Sequence, residues 1–255
     1  LAELDYSKIP NFSKIDDRFK NLSYDPENKY TVPYTWGTLG IIYNSTMVDQ
    51  PITSWDAMFD PQYADQVLMI NNSRDALGIA LMDLGYSVNT DSEEELRAAY
   101  DLLAEAKKAG VYQAWVMDEV FDKMEAGEAA VATYYAGDYL TMLENNPDLG
   151  FYIPEEGTNV YVDAMCILKG AKNKENAEAF INYMCSTEAG LKNCEEIWYS
   201  TPLLSVREEL DPEVANDPLA YPDSSIMAQC ESYAGLPQNI LDLYDSEWTR
   251  LKSAT

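Results

Sequence analysis

Four places along the chain carry side chains suited to holding a cationic group. The first is Ile153–Lys169, I-P-E-E-G-T-N-V-Y-V-D-A-M-C-I-L-K. Pro154 and Gly157 flank two acids and mark a turn. The run that follows, dense in β-branched and aromatic residues, predicts a strand. Period-two alternation sends Tyr161 and Asp163 to one face and Val160, Val162 and Ala164 to the other. A ring face attracts a cation through its quadrupole, and a carboxylate pairs with it. The competing reading of the same spacing is a half-buried edge strand whose polar face meets water. The second place is N-N-S-R-D, where Asn72 and Asp75 stand at a strand-to-helix handover. Ligands favour that position in open α/β sheets, but Asn and Asp there are also ordinary helix caps. Third, the strand A-A-V-A-T-Y-Y-A-G-D-Y ends in Tyr134, Tyr135, Gly137 and Asp138. Fourth, Trp36 lies in the β-prone run Tyr30–Asn44, broken by Pro33, Gly37 and Gly40, and glycines inside a strand signal a bend or a close approach. Trp36 sits near a cleft if two lobes join through that strand, and in the core otherwise.

Composition favours a cation over other partners. The 255 residues hold 44 acids against 17 bases, a formal charge of −27. Nucleic acid and anionic membrane surfaces are repelled by such a field, whereas a cationic solute is concentrated by it. The same charge also serves plain solubility. With no histidine, the commonest general base and metal ligand is missing, which removes most Ser–His and Cys–His mechanisms and the usual zinc sites. Cys166, Cys185, Cys194 and Cys230 show no C-x-x-C spacing. Cys185 and Cys194 are the closest pair for a disulfide, and buried free thiols are the alternative. No apolar run approaches the roughly 20 residues of a membrane span, and no signal peptide is recognisable.

The elements that must position these residues alternate. A buried strand Gln66–Asn71 precedes a helix over Ala76–Leu84. Ser92-Glu93-Glu94-Glu95 opens a helix with Leu96, Ala99, Tyr100, Leu103 and Ala106 inward. Another helix is predicted over Asp118–Gly127, then the strand ending at Tyr135, a helix Tyr139–Asn145 and a strand near Phe151. After Lys169, Ala177, Phe180, Ile181 and Met184 form the expected inward stripe of a helix, Ser186 caps the next, and Asn239–Leu251 is the last. With 47% hydrophobic residues, this is an α/β chain large enough for two lobes. Leu1–Tyr30 reads as loops and turns, where such a domain would begin with a strand.

The motifs I-P-N-F-S-K-I-D, V-P-Y-T-W-G-T-L-G-I-I-Y-N, S-W-D-A-M-F, L-G-Y-S-V-N-T, Y-Y-A-G-D, P-E-E-G-T-N-V-Y-V-D, A-K-N-K-E-N-A-E-A-F-I-N-Y and Y-S-T-P run from end to end. In this order the chain resembles the spermidine/putrescine-binding proteins of bacterial ABC importers. The resemblance implies a two-lobed periplasmic-binding-protein (type II) fold with a hinged interlobe cleft that closes on its ligand. It implies a partial first lobe, 1–37 with 162–206, and a second lobe, 38–161 with 207–255, a segment of the first lobe being expected ahead of Leu1. Asn72 and Asp75 stand where the family commonly has two acids, Tyr135 and Tyr161 where it often has Trp, Asp163 at the acid that pairs with an ammonium, and Tyr199 at a cleft tyrosine. A further polar ligand belongs near Ser232–Gln238 but does not align.

The expected protein is thus an extracytoplasmic monomer binding putrescine or spermidine. Its partners are membrane permease subunits, and it has no cofactor, no metal and no catalysis. The alternatives are a carboxylate-pair hydrolase, for which no motif-level spacing exists; a non-binding remnant; or a binder of another solute. Ferric iron on Tyr134-Tyr135 is disfavoured by the lack of histidine, and an anion by charge.

Overall fold

The computed structural model describes residues 1–253. The chain divides into two compact units, one of Leu1–Gly37 with Tyr161–Pro222 and the other of Thr38–Val160 with the chain from Asp223 onward.

The second unit is built on a mixed sheet. Its strands are β1 (Thr31–Asn44), β2 (Val67–Ile70), β3 (Tyr112–Val116), β4 (Val131–Tyr135) and β5 (Leu149–Tyr152), in the order β3-β2-β4-β1-β5. β2 runs parallel to β3 and β4, while β1 is antiparallel to β4 and β5, with Leu39 opposite Tyr135 and Ile41 opposite Tyr152. Val67, Leu68, Met69 and Ile70 are wholly buried, as expected of a strand between parallel neighbours with both faces covered. Helices α1 (Ser73–Asp83) and α2 (Glu93–Lys108) lie in turn between β2 and β3, α3 (Glu119–Glu125) follows β3, and α4 (Ala136–Asn145) follows β4. Ser92 caps α2 by accepting from the Glu95 amide at 3.3 Å. The Glu95 carboxylate turns to the Thr90 hydroxyl, and the Ser92 amide donates to that same hydroxyl, so half of the expected capping box is rebuilt through Thr90. The strand β3 is absent from the sequence reading.

At the end of α1, Asp83 lies against Asp56, with Glu156 nearby; burial and these two acids push its carboxyl up to about 7. An acid whose folded pKa is raised stabilises the fold while protonated, and that stability is lost as pH rises from about 4, the unfolded value, to about 7. Urea midpoints are therefore expected to fall between pH 5 and pH 7.5. Asp83→Asn should flatten that slope, and an unchanged slope in the variant would refute the assignment.

The first unit contains the opening half of β1, β6 (Val160–Cys166, which enters from the second unit and pairs with β1), and helices α5 (Lys174–Met184), α6 (Thr187–Ile197), α7 (Leu204–Arg207) and α8 (Pro212–Ala215). Ile9, Ile15, Phe19, Val32, Trp36, Ile181, Leu203 and Val206 form its core. The inward stripe of α5 differs from the expected one: Phe180 is 61% exposed, and Glu178 is buried in its place. Glu178 is accommodated because its carboxylate accepts from the Asp5 amide at 2.8 Å and pairs with Lys174 at 2.7 Å. Residues 207–222, assigned to the second lobe from the sequence, belong with the first unit. Arg207 lies 4.3 Å over the Tyr221 ring, Tyr221 meets Trp36 edge-on at 6.0 Å, and the Ser200 hydroxyl donates to the Ala220 carbonyl.

All four cysteines are free, and burial raises the Cys185 and Cys194 thiols to about 11. Among the described residues no helix is long and apolar enough to cross a membrane. The remaining helices, α9 (Ser224–Met227) and α10 (Gln238–Ser253), complete the second unit.

Candidate functional site

In the second unit the site grows from the end of β2. The chain leaves the strand at Asn71, and Asn72 caps α1, its side-chain oxygen accepting from the amides of Arg74 (2.9 Å) and Asp75 (3.3 Å). That oxygen is committed to the helix. Asp75, in the first turn, is only 3% exposed. Its position at the positive end of the helix dipole suits a carboxylate. Tyr135, the last residue of β4, donates its hydroxyl to Asp75 Oδ2 at 2.8 Å. Tyr233, in the segment between α9 and α10, reaches Asp75 Oδ1 at 2.9 Å. Burial raises the Asp75 carboxyl above its ordinary range, while the two tyrosine hydroxyls and the Arg74 charge pull the other way. The result is a desolvated carboxylate gripped from both sides, which is the form in which a buried acid can receive an ammonium.

Gly78 allows this. A Cβ there would lie 2.8 Å from the Tyr233 hydroxyl. The Arg74 guanidinium lies over the rings of Tyr233 (4.7 Å) and Tyr244 (5.2 Å) and bonds Asn89 Oδ1 at 3.1 Å. Tyr134 and Tyr135 do not present two phenols to one ion: the Tyr134 hydroxyl goes to Asp118 at 3.2 Å and the Tyr135 hydroxyl to Asp75. Among the described residues no three His, Cys, Asp or Glu side chains gather as a metal site.

In the first unit, β6 carries Tyr161 and Asp163 on alternating positions. Asp163 is exposed and accepts from the Thr35 hydroxyl at 2.9 Å. The Tyr161 ring faces that of Tyr199 edge-on at 6.1 Å. A Cβ at Gly37 would clash with the Tyr161 hydroxyl, so this glycine in β1 admits the ring, the close approach that the sequence had signalled. Tyr199 follows Trp198, whose left-handed conformation (φ 58°) ends α6. Trp36 is different. It is 2% exposed, its indole N–H donates to the Thr201 carbonyl at 3.2 Å, and its ring meets Phe19 at 5.2 Å. It is core, the second of the two positions open to it in the sequence.

Each unit thus holds one carboxylate beside tyrosines. Asn72, Asp75 and Tyr135 are brought together in the second unit, and Tyr161, Asp163 and Tyr199 lie in the first. Tyr233 falls in Ser232–Gln238, where the resemblance implied a further polar ligand without aligning one; S-Y-A-G in a loop carries no periodic or motif signal that would have singled it out. A separate concavity of about 510 Å³ in the second unit is lined by Asp49, Asp56, Asp60, Gln62 and Tyr63 among others. It contains none of these residues and no buried carboxylate.

The α/β architecture is that of the type II periplasmic-binding proteins, proteins that capture solutes. The chain belongs to the bacterial extracellular solute-binding proteins, whose family description matches residues 1–230. It is 34% identical over 232 residues to the spermidine/putrescine-binding periplasmic protein of Salmonella typhimurium, covering 91% of this chain and 66% of that protein. The Escherichia coli protein of the same description is 32% identical over 256 residues, 99% of this chain and 72% of that one. Among solved structures, the spermidine/putrescine substrate-binding protein PotD of Streptococcus pneumoniae, in complex with calcium and HEPES, superposes with a TM-score of 0.87. It shares 36% identity over 99% of this chain and 77% of that one. The chain therefore spans about two thirds to three quarters of the length of these relatives.

Proposed function

We propose that this chain captures a polyamine, putrescine or spermidine, as the solute-binding component of an ABC importer outside the cytoplasm, delivering it to membrane permease subunits. The observation that carries the reading is the buried Asp75 carboxylate between the hydroxyls of Tyr135 and Tyr233. A carboxylate brought out of water with donors on both oxygens is expensive unless its charge is used, and an ammonium group uses it. Asp163, beside Tyr161 on the other unit, supplies a second carboxylate with an aromatic neighbour. Each cluster, taken by itself, suits an ammonium group carried on an apolar chain. The charge of −27 raises the local concentration of such a solute. The relatives are named as binding proteins rather than enzymes, consistent with capture without turnover.

A thermal melt with putrescine, spermidine and sodium chloride at matched ionic strength tests the reading. A ligand at about a hundred times its Kd adds roughly 2.7 kcal/mol, which for a chain of this size raises Tm by roughly 5–10 °C. The rise is expected with a polyamine, not with salt, and is expected to vanish in Asp163→Ala. A Tm that follows ionic strength alone would refute capture.

A further inference from the structure

We propose that Tyr233 is a positioning residue for the ligand site: its hydroxyl, seated over Gly78, fixes the Asp75 carboxylate in its ligand-ready orientation and keeps it charged. The inference rests on the polyamine reading for the identity of the ligand, but its geometry stands on the second unit alone.

The argument is one of proton accounting. Tyr233 has one hydroxyl proton and two acceptors within reach, Asp75 Oδ1 at 2.9 Å and the Arg74 carbonyl at 3.0 Å. When Asp75 is ionised, the carboxylate is the stronger acceptor and takes the proton. When Asp75 is protonated, its own O–H donates to Tyr233, whose proton swings to the Arg74 carbonyl. The Arg74 carbonyl thus offers Tyr233 a second resting position, and the charge on Asp75 decides between the two. Tyr135 donates to the other carboxylate oxygen, Oδ2, at 2.8 Å. The groups facing Asp75 are Arg74 from α1, Tyr135 from β4 and Tyr233 from the segment before α10. Of these only Arg74 is charged, and its guanidinium is turned to Asn89 and to the rings of Tyr233 and Tyr244. No salt bridge holds Asp75 ionised among the described residues. Its charge therefore depends on the two hydroxyls, and on a cation when one arrives.

Gly78 is the second, independent support. The α1 backbone passes so near the Tyr233 hydroxyl that a methyl group at residue 78 would lie 2.8 Å from it, closer than van der Waals contact. The helix is cut away where the hydroxyl sits. Gly78→Ala should thus push the hydroxyl off Asp75 without altering a polar group.

The test is a ¹³C-carboxyl NMR titration of the ligand-free chain, the Asp75 signal being assigned by its loss in Asp75→Asn. It is paired with calorimetric spermidine binding between pH 5 and pH 8. Tyr233→Phe keeps the ring under Arg74 and removes only the hydroxyl. The Asp75 midpoint is expected to rise by about one pH unit, tenfold in ionisation. Spermidine affinity should fall towards tenfold at pH values below both midpoints, and the loss should shrink and vanish as pH rises past them. Gly78→Ala should move both quantities in the same directions, and it decides the matter if Tyr233→Phe is poorly folded. An unchanged midpoint in folded variants would overturn the proposal, as would a loss of affinity uniform across pH. A wild-type chain that binds no polyamine would sink the function proposed above, while the carboxyl titration would still decide the role of Tyr233.

Discussion

Asp75→Asn is expected to weaken polyamine binding about a hundredfold or more at pH 7.5 while leaving the protein folded. The substitution preserves shape and removes one charge. The carboxylate it replaces is 3% exposed and holds tyrosine hydroxyls at 2.8 and 2.9 Å. Removing one member of a desolvated ion pair costs about 2–5 kcal/mol, and each 1.4 kcal/mol is tenfold in affinity. Stability should move the other way or not at all. Burial raises the Asp75 carboxyl, and an acid of raised folded pKa loses stability as pH rises from its unfolded value through its folded one. The amide should therefore give a urea midpoint at neutral pH no lower than that of the wild type. Calorimetry and urea melts on the same two proteins separate the effects; a variant that binds as tightly as the wild type would remove Asp75 from the site.

The largest loss of stability is expected from Trp55→Ala. Trp55 is wholly buried in a short turn of 3₁₀ helix, Trp55–Met58, capped by Ser54. Its indole N–H donates to the Gly157 carbonyl at 2.9 Å across 102 residues of sequence. That bond pins the turn from which β6, and with it Tyr161 and Asp163, sets out. Truncation of a buried Trp costs about 3–5 kcal/mol, and the stranded Gly157 carbonyl adds to this. A fall in Tm of roughly 6–20 °C should follow. Trp55→Phe, which keeps most of the volume and loses the hydrogen bond, should lie between the two. A Trp55→Ala protein melting within about 2 °C of the wild type, well short of that fall, would show that the turn is held by other contacts.

Legibility from the sequence followed the physics of each element. The helix α2 was plain because Leu96, Ala99, Tyr100, Leu103 and Ala106 repeat with helical period, and all five are buried. The strand β3 was not, because Tyr112, Gln113, Ala114 and Trp115 are only partly buried at the sheet edge, and neither alternation nor a fully apolar run marks such a strand. The α5 stripe misled because hydrophobic periodicity takes no account of an acid that burial can tolerate. Glu178 is tolerated through Lys174 and the Asp5 amide, and the latter partner lies 173 residues away. At the site, Asp75 and Tyr135 were found from their places at strand ends, where open α/β sheets expose their ligand positions. Their mutual hydrogen bond spans 60 residues, and Tyr233 lies 158 from Asp75. Pairings of that range leave no local pattern. For Trp36 the sequence held two readings open, and only the packing against Phe19 and Tyr221 selects the core.

Titration calorimetry of the chain with spermidine and putrescine, at fixed ionic strength and pH 7.5, measures the central claim most directly. Saturable binding of one polyamine per chain is predicted, with Kd of about 1 μM or tighter, roughly −8 kcal/mol or better. Neither salt nor a monoamine of equal length should match it. Heats that scale only with cation charge and never saturate would contradict the account, since they would mean that the acidic surface, and not the Asp75 and Asp163 clusters, meets the polyamine.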